Sequence, residues 1–86
     1  MAQISSRAAK ISVAAVVAFG DRGMTKLAVA SGLSKQMLSF IVNGDREVTD
    51  EVYRKVALAI AKEAASMKTM SVRLERMAQQ MLRELE

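Results

Sequence analysis

The sequence predicts an all-α fold of four to five helices, with a C-terminal amphipathic helix as the last of them. Three observations predict it. There is no proline and there are only four glycines in 86 residues, so helices joined by short connections suit the chain. Apolar residues recur at helical rather than alternating spacing through most of its length. And 51% of residues are apolar but only 3% aromatic, so the core must be built from Ala, Val, Leu, Ile and Met.

Taken in order, residues 1–4 read as a loose tail, and Ser5 or Ser6 can cap a first helix running to about Phe19. Ile4, Ala8, Ile11, Ala15 and Phe19 fall on one face. Val13, Val16 and Val17 broaden that face, so the helix must be covered on more than one side. Their β-branches leave a strand through Ile11–Phe19 as the alternative, against which stand five alanines in Ala8–Ala18. Gly20-Asp21-Arg22-Gly23 is a turn, with Gly20 the natural helix stop.

Met24–Asn43 organises the chain and reads as a helix, a tight turn and a second helix. Leu27 and Ala28 face inward from the first, and Ala28 is the small residue needed where two steeply crossed helices touch. Gly32 makes the turn with the left-handed backbone it adopts without steric cost, and Leu33 plugs the corner. Ser34 caps the second helix. Leu38 and Ile41, with Met37 in part, bury it, leaving Lys35, Gln36, Ser39, Phe40 and Asn43 on or near its open face. Gly44 is placed for a left-handed cap, and Arg46-Glu47-Val48 is a short loop.

Thr49-Asp50-Glu51-Val52 opens a further helix, with a hydroxyl cap and then acids that complement the helix dipole. Val52, Val56 and Ile60 close the core, and Tyr53 sits at its rim. Met67, Met70, Leu74, Met77 and Met81 then follow a 3-4-3-4 heptad spacing that extends back in phase through Tyr53, Val56 and Ile60. Thr49–Glu86 can therefore be one helix, but Thr69 and Ser71 favour a break or bend near Ser66–Ser71. This divides the chain into a domain over 1–66 and an amphipathic helix over 67–86. The methionine seam either packs on Val13, Val16 and Val17 as intrachain core, or forms an adaptable interface for a second copy or a partner. The interface is the favoured reading.

Charge and composition bound the function. The net charge of +4 lies wholly in residues 1–44, where Arg7, Lys10, Arg22, Lys26 and Lys35 face one acid, Asp21. A basic face is the electrostatic footprint of phosphate binding. Without Cys or His there are no disulfides, no thiolate chemistry, no usual zinc site and none of the commonest catalytic bases, so no enzyme and no cofactor is expected. The apolar run Ile11–Phe19 is too short to span a bilayer and does not have the form of a secretion signal, so a cytoplasmic protein is expected, with no membrane partner.

Leu27-Ala28-x-x-x-Gly32-Leu33-Ser34-x-x-x-Leu38-Ser39-x-Ile41-x-Asn43-Gly44 resembles the helix-turn-helix of the Cro/lambda-repressor (Xre-like) family, over roughly residues 24–62. Val48-Thr49-Asp50-Glu51 is also similar to the headpiece of lac-repressor-type regulators. Two positions depart from the family pattern: Met24 stands where Gln is common, and Phe40 where Arg or Lys is common. The resemblance implies a lambda-repressor-like domain that places its second motif helix in the major groove of double-stranded DNA.

Carried over position by position, the resemblance makes Lys35, Gln36, Ser39 and Phe40 the base-reading set, with Phe40 against a thymine methyl or else a rim core residue. Arg22, Thr25, Lys26, Ser34, Asn43 and Arg46 become the phosphate contacts. The function implied is a transcription regulator, a repressor on inverted repeats, dimeric through Met67, Met70, Leu74, Met77 and Met81. The alternative is a module of the same fold that binds another transcription factor instead of DNA, as antiactivators do. An antitoxin or a subunit of a larger complex shares the same fold expectation.

Overall fold

A computed structural model describes residues 5–86; the loose-tail reading of residues 1–4 and the inward placing of Ile4 lie outside the described residues. The order is α1 (Ser6–Phe19), α2 (Gly23–Ser31), α3 (Lys35–Val42) and α4 (Asp50–Glu84). The fold is all-α, and Ile11–Phe19 is helix rather than strand. Ser5 caps α1, its Oγ accepting from the Ala8 N–H at 3.1 Å. Gly20 ends α1 at φ 63°, its N–H donating to the Val16 carbonyl at 2.8 Å.

The core takes one stripe from each helix: Ala8, Ile11 and Ala15 of α1, Leu27 and Ala28 of α2, Leu38 and Ile41 of α3, Val56 and Ala59 of α4. Phe19, Met24, Leu33, Val52, Tyr53 and Ile60 close its edges. Fully burying a Leu or Ile contributes about 1.5–3 kcal/mol, so Ile11, Leu27, Leu38 and Ile41, none more than 1% exposed, carry much of the stability.

Gly23 does more than permit a turn. It is the first residue of α2 and is buried against α1, where an added Cβ would lie 2.4 Å from the Ala15 carbonyl oxygen. The absent side chain lets the two backbones touch. Its neighbour Arg22 takes a left-handed backbone at φ 61° to make the reversal.

Two expectations need correction. No break occurs near Ser66–Ser71: α4 is a single helix of 35 residues. Thr69 is accommodated because its Oγ1 donates to the Ala65 carbonyl, one turn back, at 3.3 Å. Helix therefore runs without a linker across the boundary placed between 66 and 67. Nor does the seam pack as intrachain core, the less favoured of its two readings. Met67, Met70, Leu74, Met77 and Met81 are 44–62% exposed, and every residue from Ala64 onward is exposed. Val13, Val16 and Val17, expected to be covered, are open as well. The molecule is a small four-helix head with a projecting arm, 62 × 23 × 19 Å overall.

Arg7 ties the start of α1 to the start of α4. Its Nη1 donates to Asp50 Oδ1 at 2.8 Å and to the Val48 carbonyl at 3.4 Å, and the guanidinium lies over the Tyr53 ring at 4.9 Å. The hydrogen bond from Arg7, and then its charge, hold the Asp50 carboxyl below its ordinary pKa.

Three stability tests follow from these contacts. Gly23→Ala should cost about 2–3 kcal/mol in urea unfolding, because Ala15 backbone must move. Gly32→Ala, in open space but at φ 73°, should cost about 1–2 kcal/mol. Asp50 binds its proton less readily folded than unfolded, so its contribution is present above the unfolded pKa and is lost as pH falls through the folded one. Asp50→Asn should therefore flatten the fall in Tm below roughly pH 4.

Candidate nucleic-acid interface

The corner between α2 and α3 is closed by hydrogen bonds that end α2. The Leu33 N–H donates to the Ala28 carbonyl and the Gly32 N–H to the Val29 carbonyl, with Gly32 left-handed at φ 73°. Ser34 then starts α3, its Oγ accepting from the Met37 N–H at 3.0 Å. The far end of α3 is closed in the same way, Asp45 N–H to Phe40 carbonyl and Gly44 N–H to Ile41 carbonyl. An eight-residue helix is pinned at both ends by its own sequence.

Leu38 and Ile41 are buried, and Met37 and Val42 half-buried. Lys35, Gln36, Ser39, Phe40 and Asn43 are all exposed, so one face of α3 is open along its length. Eight residues make a rod of about 12 Å, and the major groove is about 12 Å wide. Phe40 is 42% exposed and lies off the buried Leu38–Ile41 stripe. Met24 goes the other way. Half-buried against the core, it occupies with a thioether the position where the family commonly places a polar Gln.

The phosphate candidates fall into separate groups. Arg22, Thr25 and Lys35 line one groove where the starts of α2 and α3 approach the end of α1, with Asp21 as the acid at its rim. Neither α2 nor α3 carries an acid in its first turn, so both positive helix ends are uncompensated by their own sequence, unlike α4 with Asp50 and Glu51. Ser34 begins α3 nearby in sequence and is exposed. Lys26 is turned partly to another use: its Nζ donates to the Phe19 carbonyl at 3.4 Å, at the end of α1. Asn43 and Arg46 lie beyond the other end of α3, and Arg46 lines a second cleft with Arg7, Gly44 and Val48. Charge counting could not separate Arg7 from the other basic residues; its partner Asp50 lies 43 positions away, beyond any local pattern.

The helix-turn-helix family model matches residues 21–65, just over half of the sequence. The chain belongs to the Cro/lambda-repressor-type (Xre-like) helix-turn-helix family. It is thereby a DNA-binding helix-turn-helix protein of a regulatory rather than an enzymatic family. No curated protein and no solved structure matches it. Among the described residues, no helix is long and apolar enough to cross a membrane. The family match ends at the point where α4 leaves the core of this helix-turn-helix protein, so the exposed arm lies beyond the matched segment.

Removing the Ser34 cap tests how far α3 depends on it. Ser34→Ala should lower unfolding stability by about 1 kcal/mol, measured by urea titration, and Ser34→Asp should restore most of it.

Proposed function

We propose that the protein is a cytoplasmic transcriptional repressor that binds inverted repeats as a homodimer, with α3 in the major groove. The observation that carries this is the open face of α3: Lys35, Gln36, Ser39 and Phe40 are exposed on a short helix whose opposite face is locked into the core, with Asn43 exposed at its C-cap. Lys35 suits the guanine acceptors, Gln36 pairs with adenine, Ser39 bonds to a base or phosphate, and Phe40 rests on a thymine methyl. Arg22, Thr25 and Ser34 hold backbone phosphate at the uncompensated starts of α2 and α3, with Lys26 beside them and Asn43 and Arg46 at the other end. One such unit reads only a half-site, which is why two copies are needed. Met67, Met70, Leu74, Met77 and Met81 supply the interface.

Exposed Phe40 and the exposed methionine seam also favour a second reading, in which the same fold binds a transcription factor instead of DNA. Salt separates the two. Affinity for DNA falls with a log–log slope of roughly −0.9 per phosphate contact, whereas apolar contact responds little.

Selection of random duplex DNA at about 0.1 M salt should recover a palindrome with half-site centres about 10 bp apart. Lys35→Ala and Gln36→Ala should each relax preference at one position by about 1–3 kcal/mol. Arg46→Ala should weaken all sequences alike and reduce the salt slope by about one. Arg22→Gly should do the same without loss of stability, since glycine suits φ 61°. Failure to enrich any sequence, with weak retention, would refute the DNA-reading role of α3.

A further inference from the structure

The head and the arm each leave an apolar surface open. On the head it is a groove between α1 and α4, formed by Lys10, Val13, Ala14 and Val17 on one side and Ala57 and Ile60 on the other. Val13 is 62% and Val17 77% exposed. On the arm it is the seam from Met67 to Met81, and Tyr53, Val56 and Ile60 continue the same heptad spacing into the head.

We propose that these are two halves of one self-complementary surface: two copies pair antiparallel along α4, and the arm of each lies in the α1/α4 groove of the other. The proposal rests on the homodimer reading above and specifies its geometry.

Length and register support a second copy as the occupant. With the two-fold axis between Lys68 and Thr69, Met81 comes level with the partner's Val56, Met77 with the partner's Ile60 and Met67 with the partner's Met70. Met67, Met70 and Met77 then have apolar counterparts, the last of them the partner's Ile60 on the groove; Met81 reaches the groove edge beside the partner's Val56, which is itself buried in the head, and Leu74 comes level with the partner's Glu63. Beside the seam, Ala57, Ala64, Ser71 and Ala78 recur every seven residues. In this register Ala78 comes level with the partner's Ala59 and Ser71 with the partner's Ser66, so small residues meet small residues beside the seam.

Charge selects the direction. Antiparallel pairing brings Glu63 level with the partner's Leu74, beside the partner's Arg73. It brings Glu84 to the partner's Tyr53, where the structure places Arg7 over the ring and Lys10 on the same groove. Parallel in-register pairing instead sets Glu63 against Glu63 and Glu84 against Glu84, and leaves both α1/α4 grooves open. The antiparallel pair also separates Val56 from its mate by about 25 residues of helix, roughly 37 Å. Half-sites one turn of DNA apart are about 34–36 Å from centre to centre.

The chain has no cysteine, so Arg83→Cys accepts a single spin label per copy. Double electron–electron resonance without DNA should give a distance of about 43 Å for the antiparallel pair. A short distance, as parallel arms require, overturns the proposal, as does a monomer in sedimentation equilibrium. Val17→Glu puts a charge on an already exposed position; helicity by circular dichroism should be unchanged while the dimer dissociation constant rises about tenfold or more. An unchanged dissociation constant overturns the groove as the docking place. None of these readings involves DNA, so failure of the repressor reading would leave them as they are, and their failure would leave DNA selection interpretable.

Discussion

The structure depends on one backbone-to-backbone contact, the seating of Gly23 against the carbonyl of Ala15. A side chain at this point would push α2 away from α1. Because α3 is fixed to α2 by the Gly32–Leu33 corner, its exposed face would be displaced with it. The left-handed Arg22 beside it makes the same reversal from the other side. The orientation of α3 is thus set by a residue that makes no contribution to its surface, and the core residues Leu27, Leu38 and Ile41 then hold what this contact has positioned.

Much of this was legible from residue types. Leu27, Ala28, Gly32, Ser34, Leu38, Ile41 and Thr49 do in three dimensions what their chemistry demands locally, because caps and left-handed turns are decided within four or five residues. Where reading failed, the deciding partner lay elsewhere. Thr69 and Ser71 look like helix starts, yet the Thr69 hydroxyl is satisfied by Ala65 inside an unbroken helix, and the in-phase seam was the truer signal. Gly23 reads as one of two turn glycines; only the position of α1 reveals its packing role. Phe40 was ambiguous because an aromatic beside a core stripe can turn either way. At the site itself, exposure of Lys35, Gln36, Ser39 and Asn43 followed from helical periodicity, but the diversion of Lys26 to the end of α1 did not.

The two halves of the molecule are built on different physical terms. The head has few buried residues but connects them tightly, with no orphaned buried side-chain polar atom among those described. The arm has no core at all, and most helical stability in proteins comes from tertiary packing that it lacks. Its composition compensates in part, since Ala, Met, Leu, Arg, Glu and Gln are strong helix formers. An uncovered apolar stripe on such a helix is a liability for a monomer, and the proposed association surface gives a physical reason to retain it.

Because α4 runs unbroken from the Thr49 cap to Leu85, residue count along it is at once a length and an angle. Each residue adds about 1.5 Å of rise and about 100° of rotation. Any mate held by the far end of this helix is therefore mechanically geared to the recognition face at the near end. Insertions or deletions between Ile60 and Met67 act on that gearing without touching either surface. A change of seven residues shifts the spacing by about 10 Å and almost keeps the facing direction, whereas a change of one turns the head by more than a quarter revolution. In the proposed dimer the arm is a shaft with a keyed length, and a heptad is the step that changes its length while almost keeping the facing direction.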